Sequence, residues 1–199
     1  MPKPVEGYVK PVLRPFEERL SSVFLRAWDS WWKSTGRKTY AYKRARACMV
    51  HELIVREARK EFGTGRDVHI IEGPETIYLL FKRLVAARLK KGDHRGLGQN
   101  NPTQTSLAFI TSAADIHMLP LGLPDVQRVD VTYILNELET RIEQVLVVGR
   151  DGRKRLWSYA IHPRAAAEVT PLPIRPPTPP RPDDVVRIPS RKIEKKDAS

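Results

Sequence analysis

From Arg128 to Tyr133 apolar and polar residues change places at every step, a period of two that a strand with one buried face requires. Val129, Val131, Tyr133 and Leu135 alternate with Arg128, Asp130 and Thr132. Ile142, Gln144, Leu146 and Val148 then alternate with Glu143, Val145 and Val147. Asp151-Gly152 is a strong two-residue hairpin signal, and Leu156 to Ile161 forms the returning strand. The pattern predicts an antiparallel meander, which must cover its apolar face with another layer.

The cover is found near the N-terminus. Residues 1–14 hold three prolines and little periodicity, so they read as an extended arm. Pro15 stands where a helix starts, because its missing N–H is an orphan there anyway. Phe16, Leu20, Val23, Phe24, Ala27 and Trp31 follow at helical spacing, with Glu17 and Glu18 in the first turn and Ser34-Thr35-Gly36 as the stop. A second helix is predicted from about Thr39 to Phe62, with Ala47, Val50, Ile54 and Ala58 on one face and Gly63 closing it. From Arg66 the period changes. Val68 to Ile71, Thr76 to Phe81 and Leu84 to Leu89 are short apolar runs parted by Gly73-Pro74 and Lys82-Arg83, which predicts strands, although the third also suits a helix. A polar loop from Gly92 to Asn101 follows, and Pro102 opens a short helix through Ile110.

The chain therefore reads as an α+β domain over 15–162, two N-terminal helices packed on a mostly antiparallel sheet. Nine of its 17 prolines lie among the final 37 residues, mixed with Arg and Lys. Such a segment buries too little to offset its ordering entropy, so 163–199 is expected to be a disordered basic tail.

The net charge is +12, and its usual counterpart is a polyanion. The charge is not spread evenly. Between Asp29 and Glu52 stand Lys33, Arg37, Lys38, Lys43, Arg44 and Arg46 without a carboxylate, threaded with Trp31, Trp32, Tyr40 and Tyr42. Fixed cations among planar side chains hold phosphates and stack bases. Several of these cations crowd the positive end of the second helix's dipole, an arrangement that a docked anion relieves. Trp28, Trp31 and Trp32 follow the apolar helical face and read as core or interface anchors rather than stacking platforms. A second basic group comprises Lys82, Arg83, Arg88, Lys90, Lys91 and Arg95. On a strand, Arg88 and Lys90 share one face while Val85, Ala87 and Leu89 share the other, so the two cations make a phosphate track. Arg153, Arg155, Trp157 and Tyr159 share a further strand face, read as an inner apolar face with the arginines beyond its edge.

Catalysis has one candidate set. A metal-independent ribonuclease needs an acid or base near neutrality and cations for the transition-state phosphate, and His94 with Arg88 and Lys90 would supply them. A metal-dependent nuclease would need Asp67, Glu72 and Glu75 gathered near Lys90, but their spacing reads as a turn. The histidines at 51, 69, 94, 117 and 162 show no ligand spacing, and Cys48 is the sole cysteine, so no metal and no cofactor are expected. No phosphate-binding P-loop, dinucleotide fingerprint or nucleophile elbow is present. No apolar run approaches the roughly 20 residues needed to span a bilayer, and the start lacks a secretory core, so a cytoplasmic protein is expected.

Residues 44 to 160 resemble a small set of uncharacterised bacterial mobile-element proteins of the toxin–antitoxin type. Arg88-Leu89-Lys90-Lys91, Asn101-Pro102-Thr103-Gln104, Leu119-Pro120 with Pro124, Tyr133 and Trp157 carry that resemblance. It implies a regulatory or defence setting and no particular activity. The expectation is nucleic-acid binding, RNA or DNA, through Arg37, Lys38, Tyr40, Tyr42, Lys43, Arg44, Arg46, Lys91 and Arg95. The alternatives are the ribonuclease and a binding module for an acidic protein partner that docks on the basic tail.

Overall fold

A computed structural model describes residues 3–73, 76–99, 103–111 and 126–162. The expected tail at 163–199 lies outside the described residues, as do Glu75, Asn101, Pro102, His117, Leu119, Pro120 and Pro124. The fold is α+β. Helix α1 (Glu6–Leu13) runs through a short 3-10 turn (Arg14–Phe16) into α2 (Glu17–Lys33), and a second 3-10 turn (Thr35–Lys38) precedes α3 (Lys43–Phe62). Strands β1 (Val68–Gly73), β2 (Thr76–Phe81) and β3 (Val85–Lys91) follow, then α4 (Gln104–Ile110), β4 (Gln127–Leu135), β5 (Ile142–Asp151) and β6 (Lys154–His162). The six strands lie in sequence order, and every neighbouring pair is antiparallel except β3 with β4. That parallel pair is why the chain leaves the sheet after Lys91 and returns only at Gln127.

The expected extended arm is a correction. Among the described residues only 3–5 precede the helix, with Val5 extended; Glu6 to Leu13 is helical because Val9 and Leu13 reach the core and are fully buried there. Pro15 does open a helical turn, that of Arg14–Phe16. The second long helix starts four residues later than predicted, at Lys43, since Ser34 closes α2 and its Oγ then accepts from Gly36 N at 3.2 Å to start a separate turn. The ambiguous run after Leu84 is a strand. Lys82 and Arg83 both take left-handed backbone, φ 47° and 60°, at the centre of the tight turn that Leu84 N closes on Phe81 O at 2.9 Å, within the three-residue connection 82–84.

Helices α1 to α3 cover one face of the sheet, where Leu20, Phe24, Ile54 and Phe62 meet Leu79, Ala87, Val129, Val131 and Val147. The other face is covered in the middle. Phe109 of α4 stacks on Tyr78 at 5.2 Å, and Leu97 of the loop after β3 packs on Leu146 and Val148. Two details of the meander differ from expectation. A register shift between Ile134 and Leu135 pairs Leu135 with Ile142, so Ile142 joins Val145 and Val147 in the core instead of Leu146 and Val148. The hairpin turn is Gly152-Arg153, one residue later than predicted, with Asp151 paired to Lys154 and Gly152 at φ 59°. Among the described residues no helix is long and apolar enough to cross a membrane.

Candidate functional site

Strand parity divides the second basic group. Lys91 is in phase with Leu89 and Ala87, so it projects toward the helices, while Arg88 and Lys90 project the other way. Lys91 thereby joins the first group. Trp28, Trp31 and Trp32 of α2, Arg37 and Lys38 of the 3-10 turn, Lys43 and Arg46 of α3, Lys91 of β3, Tyr133 and Leu135 of β4, and Leu138 and Glu139 beyond it line one cleft of about 350 Å³. Among the described residues, five cations and one carboxylate face it.

The aromatic wall has two parts. Trp31 belongs to the core, as expected, with Tyr40 packed beside it at 6.2 Å. Trp32 does not: it is 42% exposed, lies 6.3 Å from Trp28 in a stacked arrangement, and carries the Arg37 guanidinium 3.6 Å from its ring centre. Arg37 Nη1 is buried and has no hydrogen-bond partner. A charged donor left in that state costs more than the roughly 1–3 kcal/mol of a neutral one, a cost that the stacking of the guanidinium on Trp32 offsets in part. The first turn of α3 adds to the field. Tyr42 caps it without a side-chain hydrogen bond, and no acidic residue stands there.

Glu139 is the one carboxylate. Its Oε1 accepts from Lys91 Nζ at 3.1 Å, and that hydrogen bond, helped by the charges of Lys91, Lys43 and Arg46, holds its carboxyl below the usual range despite partial burial. Its backbone is left-handed, φ 49°, an unusual state for a residue with a side chain. Asn136 Oδ1 fixes the loop by accepting from Thr140 N at 2.8 Å and Arg141 N at 3.0 Å. Tyr133 forms part of the wall, and burial, then Glu139, raises its hydroxyl's pKa.

The remaining expected residues lie elsewhere. Arg44 and Tyr42 are exposed beside the cleft, Tyr42 by 80%. Arg95 is exposed on the loop that covers the opposite face, where its carbonyl accepts from Arg155 Nη1 at 2.7 Å. The phosphate track of Arg88 and Lys90 does not form. Arg88 is 2% exposed, its Nε and Nη2 both donate to Asp130 Oδ1 at 3.0 and 2.8 Å, and it stacks on Phe109. Asp130 Oδ2 accepts from Arg150 as well. His94, exposed on the loop, therefore has no Arg88 to stabilise a transition-state phosphate. Glu72 is engaged with Arg59 on the far side of β1, and among the described residues no three His, Cys, Asp or Glu side chains gather as a metal site. Arg155 also leaves its expected face: a register shift between Gly149 and Arg150 pairs it with Arg150, while Trp157 and Tyr159 stay against the core.

Leu138 and Glu139 were not legible as site residues, because nothing local in Asn136–Arg141 marks it as more than a turn. Comparison of the chain with protein-family models, curated proteins and solved structures finds no match in any of the three.

Proposed function

We propose that this protein binds nucleic acid, with the cleft between α2, α3 and the ends of β3 and β4 as its phosphate seat. The observation that carries this reading is the cleft itself, where Arg37, Lys38, Lys43, Arg46 and Lys91 converge on aromatic surface. An isolated anion would suffice for the charge, but the Trp28–Trp32 wall beside it suits a ligand that alternates phosphates with planar rings. Leu138 on its rim and Tyr42 beside it, 81% and 80% exposed, extend its apolar surface. The bacterial regulatory or toxin–antitoxin setting is part of the same proposal and rests on the resemblance of residues 44 to 160.

Oligonucleotide binding across a salt series tests it. Single-strand affinity should fall with a log–log slope of about −3 to −4 if all five lining cations neutralise phosphates. The triple variant Arg37→Ser, Lys43→Ser, Arg46→Ser should flatten that slope by about 2. A slope unmoved by the triple variant would place the phosphates elsewhere on the protein.

A further inference from the structure

The charge of the cleft is uneven in a way that a phosphate seat alone does not require. Glu139 repels phosphate, yet its carboxylate lines the same space as five cations and is kept ionised by three of them. It does so in a left-handed backbone conformation that a loop hydrogen-bonded through Asn136 maintains. An ionised carboxylate can only accept hydrogen bonds, so it suits the part of a ligand that donates. We propose that the cleft holds one unpaired guanine nucleotide of a single strand, deepening the phosphate reading on which this inference rests.

The division of labour follows from the lining. The phosphate lies toward Arg37, Lys43 and Arg46. The base lies beside the Trp28–Trp32 pair and the Arg37 guanidinium stacked on it, a planar group on which a base can itself stack. Glu139, whose Oε1 keeps a further lone pair beyond the one Lys91 uses, meets the base's Watson–Crick edge. Guanine alone presents two adjacent donors there, N1–H and the N2 amino group, which match the two oxygens of one carboxylate. Adenine and cytosine offer one amino donor beside an acceptor nitrogen that a carboxylate repels, and uracil offers one N–H between two carbonyls. A volume of about 350 Å³ is at the lower end of small-ligand pockets and admits a nucleotide but not a duplex. A paired guanine has these donors occupied, so the site reads single strands. Tyr42, next in sequence to the lining residue Lys43, is exposed for a neighbouring base to stack on.

The test is titration of the full-length chain, followed by tryptophan fluorescence, with GMP, AMP, CMP, UMP and inorganic phosphate in parallel. GMP should bind about 10 to 100 times more tightly than AMP, the discrimination expected of one bidentate base contact. Glu139→Gln should erase that preference while keeping or raising affinity for inorganic phosphate, with an unchanged thermal midpoint as the control for folding. Equal affinity for the four nucleotides in the unaltered protein, or a preference that survives Glu139→Gln, overturns the guanine site. If in that case nucleotides and phosphate still bind and are lost together in Arg37→Ser, the phosphate seat stands by itself. Binding of none of them, or binding indifferent to Arg37→Ser, removes the phosphate reading together with the guanine site.

Discussion

At the scale of single residues, burial decided what each cation does. Arg88 and Lys91 stand three positions apart on one strand, and their opposite parity sends one into the core and the other into the cleft. Arg88 and Asp130 are register partners across the parallel pair, and Arg150 reaches the same carboxylate at 3.2 Å from β5, so one fully buried Asp serves two arginines. Removing a partner from such a group leaves uncompensated buried charge. Asp130→Ala should therefore lose about 3–5 kcal/mol in urea denaturation. A small effect would mean that solvent reaches the arginines. Arg128 is held differently: its guanidinium donates to the carbonyls of Ala108 and Thr111 at the end of α4, which places a cation at a helix C-terminus.

At the scale of elements, two connections carry unusual backbone. The β2–β3 turn puts Lys82 and Arg83 in the left-handed region that asparagine and glycine occupy more easily. The double variant Lys82→Asn, Arg83→Gly should stabilise the protein by about 1 kcal/mol or more by relieving that strain, measured as a raised denaturant midpoint. An unchanged or lowered midpoint would mean the two side chains contribute contacts that offset it. The β5–β6 hairpin shows the opposite economy. Gly149 faces the Trp157 indole so closely that any Cβ would overlap it, so the glycine is there for the tryptophan. Such pairings explain why the strands were legible as strands while their phase was not. Ile142–Val148 sets two polar residues before four consecutive apolar ones, so its phase is ambiguous, and the register shift beside it cannot be read from residue types, because a bulge inserts one residue without altering composition.

At the scale of the molecule, residues 3–5 are bound to the last three strands of the sheet. Trp157 Nε1 donates to Pro4 O at 2.8 Å across 153 positions, Val5 N donates to Gln127 Oε1 at 2.8 Å, and Lys3 lies 3.1 Å from Asp151. These contacts hold α1 in place so that Val9 and Leu13 can fill the core. Deleting residues 2–5 should cost about 1–3 kcal/mol through the two part-buried hydrogen bonds, seen as a lower thermal midpoint. A free arm would leave that midpoint unchanged. The cleft is equally non-local, since its cations come from segments as far apart as Arg37 and Lys91 and its carboxylate from Glu139.

What the sequence determined by itself is local: periods of 3.6 and 2 set α2, α3 and the strands, and the run without carboxylates between Asp29 and Glu52 marked the cationic wall. Those signals survive because each depends on neighbours a few positions away. The tertiary structure alone decided which cations stay in solvent and which become core, because that depends on the parallel β3–β4 pairing and on what covers each face. It also brought Glu139 and Lys91 opposite Arg37, since a cleft is made by the packing of distant segments and no short-range pattern encodes the distance between them.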